Sequence, residues 1–199
     1  MLARLAFVGV VVALVSGVAS AQSSMRVAGT VESFDGHLLT VKTAKLGDVK
    51  VNLTDKAAVF GVRTATLADV KPGAYIGVGA MPQPDGSQRA IQVTVFADVQ
   101  RGLGEGFRPW DARPNSTMTN ATVEQTVGSV DGQVMMVKYK DGEKKIVVPP
   151  DAVILAYAVG DKSELKPGAH IAIIRALKKP DGSFEASRIN VGRGDVVPK

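Results

Sequence analysis

The 199-residue chain contains no cysteine, only two histidines and a single tryptophan. Without cysteine it can form no disulfide, no thiolate metal site and no cysteine nucleophile, so packing alone must hold the fold. His37 and His170 are the only imidazoles, and their spacing fits no metal-ligand motif. Met135 and Met136 are adjacent and point to opposite faces of a strand, which argues against a soft methionine metal site. Signs of catalysis are equally scarce. No Gly-x-Ser-x-Gly elbow occurs, and the acidic residues fall mostly in turns and caps, where their structural task is plain. The stretch Gly102-Leu103-Gly104-Glu105-Gly106 lacks the Lys-Ser/Thr ending and following helix of a phosphate loop. These absences predict a protein that is not an enzyme and carries no cofactor and no bound metal.

Charge of one sign is never concentrated. The formal net charge is +5, and setting aside Arg4 leaves +4 spread along the remaining chain. That balance suits solubility and weak contact with anionic surfaces. It lacks the clustered positive charge of a nucleic-acid footprint, so no nucleic-acid partner is expected.

The first residues read as an export leader. Arg4 supplies the positive start, Leu5 to Val15 form an apolar core, and Ala19-Ser20-Ala21 offers a small-x-small cleavage site. The expected mature protein is periplasmic or secreted after cleavage near Ala21. The leader's apolar run is too short for a good membrane span, and no later segment is apolar enough, so the mature chain is expected to have no transmembrane span. No cysteine follows the cleavage site, which excludes lipid anchoring there.

What the chain does have is an internal echo. Leu67 to Ile76, with Lys71-Pro72-Gly73 at its centre, returns as Ser163 to Ile171 around Lys166-Pro167-Gly168. Pro84-Asp85-Gly86-Ser87 returns as Pro180-Asp181-Gly182-Ser183, and Phe34-Asp35-Gly36 as Val130-Asp131-Gly132. The offset is 95 at Lys-Pro-Gly and 96 at the Asp-Gly sites, which reads as a duplicated unit with one insertion.

Each copy reads as short strands separated by glycine turns. In the first, 27–34 and 37–43 flank Asp35-Gly36, 48–53 makes a third strand, and 74–81 and 87–96 flank Pro84-Asp85-Gly86. A short helical turn capped by Thr66 precedes Pro72-Gly73. The second copy repeats the order in 123–130, 133–140, 143–148, 169–177 and 183–191. This pattern predicts an all-β protein of two tandem five-stranded OB-like barrels, each with a short helical turn between strands 3 and 4. The expected divisions are a signal peptide at 1–21, a first barrel at 25–98, an ordered strap at 99–122, a second barrel at 123–193 and a tail at 194–199. His170 takes the slot of Tyr75 in the other copy, so a structural role explains it.

The strap holds Leu103, Phe107, Trp110 and Met118 among glycines and prolines. A flexible tether would lack the aromatics, so an ordered segment is expected, with Phe107 and Trp110 docked in an apolar groove.

Three stretches carry a likeness to known proteins. They are Gly104-Glu105-Gly106-Phe107-Arg108-Pro109-Trp110-Asp111, then Pro114 to Val123, then the Lys138 to Lys145 hairpin with the two Lys-Pro-Gly turns. Through these the chain resembles a family of exported bacterial proteins of unknown function built from two OB-like repeats. Members are often labelled metal-transporter permeases, a label that fits poorly with a mature chain lacking membrane spans. Relatives often have His where this chain has Phe107, a departure that weakens any metal role for the strap.

Two groups of residues are the candidate ligand- or partner-binding surface. Arg108, Trp110 and Asp111 make the strap's specific face, with Trp110 as anchor. Lys138, Lys140, Lys144 and Lys145 flank the Asp141-Gly142 turn with Tyr139 between them, and suit phosphate, lipid headgroups or acidic glycans. Alternatively the strap only packs the halves together, and the lysines only protect a sheet edge. The expected function is a non-enzymatic periplasmic binding or interaction module for an envelope protein or anionic envelope component. The alternative is an accessory role in metal or envelope-stress handling.

Overall fold

Alternation of buried and exposed side chains sets almost every strand. In the first hairpin, Leu39, Val41 and Thr43 turn inward while Lys42 stays in water. A computed structural model describes residues 23–129 and 132–198, so the leader, Val130-Asp131 of the echo and the last residue lie outside the described residues. Among the described residues there are twelve strands: β1 (Ser24–Phe34), β2 (Leu38–Thr43), β3 (Gly47–Thr64), β4 (Tyr75–Pro82), β5 (Gln88–Val95) and β6 (Gly106–Pro109), then β7 (Thr117–Ser129), β8 (Gly132–Tyr139), β9 (Gly142–Val148), β10 (Val153–Val159), β11 (His170–Lys178) and β12 (Phe184–Gly192). Helical structure among the described residues is limited to three short 3-10 turns.

The chain is all-β, but the strands form one large mixed sheet and not two tandem, self-contained five-stranded barrels. Along it the order is β12-β11-β1-β2-β3-β10-β5-β4-β7-β8-β9, with β6 beside β7. Two further parallel pairings, β3 with β12 and β5 with β9, run across this order. Pairing therefore runs round two circuits of five strands. The first holds β1, β2, β3, β12 and β11; the second holds β7, β8, β9, β5 and β4. In each circuit three strands come from one copy of the repeat and two from the other.

The physical reason lies in β3. The expected strand 48–53 continues through Lys56 to Thr64, an 18-residue strand in all. At about 3.3 Å per residue it spans on the order of 60 Å, wider than a small five-stranded module. It therefore delivers the following Lys-Pro-Gly turn and β4–β5 hairpin to the other interior. In the second copy the same run is broken into β9 and β10 by Pro149-Pro150, since proline donates nothing to a ladder. The β10 strand and the second half of β3, neither expected from sequence, pair antiparallel and join the two circuits.

Equivalent hydrogen bonds record the exchange. Gly73 N donates to Val123 O at 2.8 Å, and Gly168 N donates to Val31 O at 2.9 Å. Each Lys-Pro-Gly turn thus bonds to the first strand of the other copy. Gly73 and Gly168 hold φ of 83° and 88°, the left-handed region that glycine enters without strain. The same bonds match Val31 to Val123, an offset of 92, whereas Leu39 matches Met135 at 96, both facing their cores. The second copy's hairpin is longer by those four residues. The insertion between the Lys-Pro-Gly and Pro-Asp-Gly echoes is a bulge in β11, where Ile173 faces Val27 but Ala176 faces Met25.

Two separate apolar clusters result. The first packs Val27, Leu39, Val51, Ile171, Phe184 and Ile189 with their neighbours, and the second packs Ile76, Val93, Val123, Met135, Ile146 and Val148 with theirs.

Candidate functional site

The strap is ordered and lies on the second circuit. It leaves β5 through a 3-10 turn at Asp98–Gln100, and Arg101 donates to Gly73 O at 2.9 Å. Leu103 O then accepts from the Tyr75 hydroxyl at 3.2 Å and the Asn120 side-chain amide at 2.9 Å. Burial, with Glu105 nearby, pushes the Tyr75 phenol above its ordinary value, while Arg108 and Arg101 pull the other way. From Gly106 to Pro109 the strap becomes β6 and pairs antiparallel with residues 117–120 of β7.

Trp110 is the anchor, and a glycine makes its seat. A Cβ at Gly79 would overlap the Trp110 ring, so the bare backbone of β4 admits the indole. Behind it the chain turns sharply: Trp110 N donates to Ser116 O at 2.9 Å, Ser116 Oγ donates to Arg113 O at 2.6 Å, and Asn115 adopts φ of 60°. An open groove of about 610 Å³ is lined by Phe107, Pro109, Trp110, Asp111, Arg113 and Asn115.

The other strap candidates behave differently from the sequence expectation. Phe107 is not docked; it is 41% exposed, and the Lys144 ammonium lies 4.6 Å from its ring centroid. Arg108 turns back on the strap, donating to Gly104 O at 2.8 Å. Asp111 is exposed at the groove.

The basic hairpin meets the strap. Besides the Lys144–Phe107 contact, Lys140 N donates to Glu105 Oε1 at 2.9 Å. Lys138 pairs with Glu124 at 3.5 Å and Lys145 with Asp85 at 4.0 Å. Asp85 is held below the ordinary carboxylate range, chiefly by the Ser87 hydroxyl and amide and less by Lys145. Tyr139 is half-buried against the second core. Of the four lysines, Lys140 and Lys144 keep their ammoniums out of any ion pair among the described residues. Two groups chosen separately from sequence therefore share one face. Glu105 and Gly79 were missed: the first sat in a glycine run with no charge pattern, and the second matters through an absent side chain.

The histidines stand apart. His37 Nδ1 lies 3.8 Å from Asp55 on an exposed turn, and His170 Nδ1 lies 3.3 Å from the Thr30 hydroxyl. Among the described residues no cluster of three or more His, Asp or Glu side chains is placed to hold a metal ion. None of the helices there is long and apolar enough to cross a membrane.

The chain matches no family model, no curated protein and no solved structure.

Proposed function

We propose that the protein is a non-enzymatic, exported binding module, and that the joint face of strap and basic hairpin is its contact surface. One observation carries this reading: Phe107 stays in water beneath Lys144, at the rim of a groove floored by Trp110. A strap serving only to glue the sheet together would bury its phenylalanine. An exposed ring, a cation above it and an unpaired Lys140 suit an anionic group attached to something apolar. The partner is an envelope protein or an anionic envelope component, a reading supported by the leader-like pattern of residues 1–21 and by the resemblance to exported proteins. In the same reading the two strand circuits descend from OB-like modules that closed by exchanging their last two strands.

Binding to phosphatidylglycerol vesicles, phosphatidylcholine vesicles and an envelope protein extract, before and after Phe107→Ala with Lys140→Ala and Lys144→Ala, tests the surface. The expected result is retention on the anionic vesicles or by an extract protein that the triple variant weakens by about tenfold. Equal behaviour of folded variant and parent on all three would remove this face as the binding surface.

A further inference from the structure

The two circuits differ at equivalent positions on their outer faces. On the second circuit, residues 117–120 of β7 have β4 on one side and β6 on the other. By the 92-residue offset the equivalent stretch is 25–28 of β1. There β11 fills one side, but β2 takes up the other only from Thr30 onward. Among the described residues no strand lies along that edge. Val31 N donates to Ala169 O on the β11 side at 2.9 Å, so strand alternation turns the amides of Arg26 and Ala28 toward the open edge.

The side chains around this edge are also uncovered. His170 is exposed where its counterpart Tyr75 is buried under the strap. Ile174, 43% exposed, stands in the bulge opposite Arg26, where the second circuit has Gly79 beneath Trp110. Arg26 and Arg175 are exposed and make no ion pair among the described residues, and Arg188 has its guanidinium 5.5 Å from the Phe60 ring. Burial raises the Tyr157 phenol above its ordinary value, against the smaller opposing pull of Arg26 and Arg188. Next along the face, Asn190 is 2% exposed and its Oδ1 has no hydrogen-bond partner among the described residues.

We propose that the open edge of β1 takes up an extended acidic segment of a partner protein by strand addition, with an apolar side chain set against Ile174. The strap shows the geometry, because β6 does the same to β7 within this chain. Charge selects the partner: Arg26 lies on the edge strand itself, Arg175 on the neighbouring β11 and Arg188 on β12 beyond it. The chain's own residues 1–22 contain no acidic residue and do not complement them. A second copy pairing through the same edge would bring Arg26 against its own like charge. This inference concerns the first circuit and stands apart from the strap-hairpin surface on the second.

The probe is a fluorescein-labelled ten-residue peptide alternating glutamate with valine, beside a sister peptide with lysine for glutamate, titrated into the full chain by anisotropy. The acidic peptide should bind and the lysine peptide should not, with affinity falling as salt rises. Arg26→Glu with Arg175→Glu should weaken binding by about tenfold, and Ala28→Pro, which removes an edge amide, by about fivefold. Trp110→Ala should leave it unchanged. Absence of binding, equal binding of both peptides, or less than about a twofold effect of the double reversal in a folded variant would overturn the proposal. So would an unaffected Ala28→Pro variant, which would reduce the contact to surface charge, or a dimer in sedimentation that the double reversal dissolves.

Discussion

The two strand circuits are copies of one plan filled to different depths. The buried residues of the first interior are mostly large aliphatics, with alanine among them at Ala176 and Ala186. The second holds five alanines, at positions 65, 80, 90, 121 and 156. Thr117, Thr119 and Gln88 are buried beside it; Thr117 Oγ1 donates to Gln88 Oε1 at 2.7 Å, but Thr119 Oγ1 has no partner among the described residues. The thinner circuit is also the one the strap covers. A duplicated scaffold has thus been specialised: one half carries the deeper core, and the other carries Trp110 and the groove.

The sharpest way to break that comparison is to damage the deeper core and watch the shallower one. Ile171 is 1% exposed in the first cluster, and Ile171→Ala should cost about 2–5 kcal/mol. Because β3 and β10 tie the circuits together, Trp110 fluorescence, which reports the second circuit, should shift to the same lower urea midpoint as far-UV circular dichroism. Two separated transitions would show the circuits to be independent.

A smaller effect is expected at the indole's seat. Gly79→Ala forces the Trp110 ring from β4 and should cost about 1–3 kcal/mol, with red-shifted emission. Unchanged emission would mean that the strap does not depend on that contact.

The smallest effect concerns the Lys-Pro-Gly turns. Arg193 lies over Gly61 and grips Glu164 through two bonds of 2.9 Å, and Arg63 holds Asp69 at 2.9 Å in the other copy. The Arg193 hydrogen bonds are the main cause holding the Glu164 carboxyl below its ordinary value, and the Thr66 amide, followed by the Arg63 guanidinium, does the same for Asp69. A carboxylate lowered by folding stabilises the native state at pH values above its unfolded pKa, and that contribution fades as pH falls through the folded value. The melting temperature should therefore be flat above about pH 5 and decline below about pH 4. Arg193→Ala should lower stability by about 1 kcal/mol at neutral pH and flatten part of that decline. An identical acid profile for variant and parent would assign the decline to other carboxylates.

The sequence made the hairpins legible and hid their partners. Inward residues such as Leu39, Val41, Val137 and Ile146 alternate cleanly, and Asp-Gly or Lys-Pro-Gly marks most of the turns between strands. The second half of β3 does not alternate: Val59, Phe60, Gly61 and Val62 are all buried, because the first core covers one face and neighbouring elements the other. Such a run carries no strand period, so it and β10 were not recognised. Exchange was invisible for a deeper reason. Both copies offer the same pattern at the same places, so β4 finds equivalent neighbours on β1 or on β7, and local sequence cannot choose between them. In the strap, tryptophan announced an anchor, but nothing in the chain's pattern showed that Phe107 would stay in water or that Lys144 would sit above it.

The interleaving has a consequence for how the chain comes to be. Thr30 contacts His170, 140 positions away, so β1 must wait for almost the whole polypeptide before its neighbour exists. The first hydrophobic interior cannot be sealed while the C-terminal hairpin is still being synthesised, and contacts this distant form slowly. A nascent chain of this design keeps its first interior open until its last two strands arrive, whereas the second can close without them.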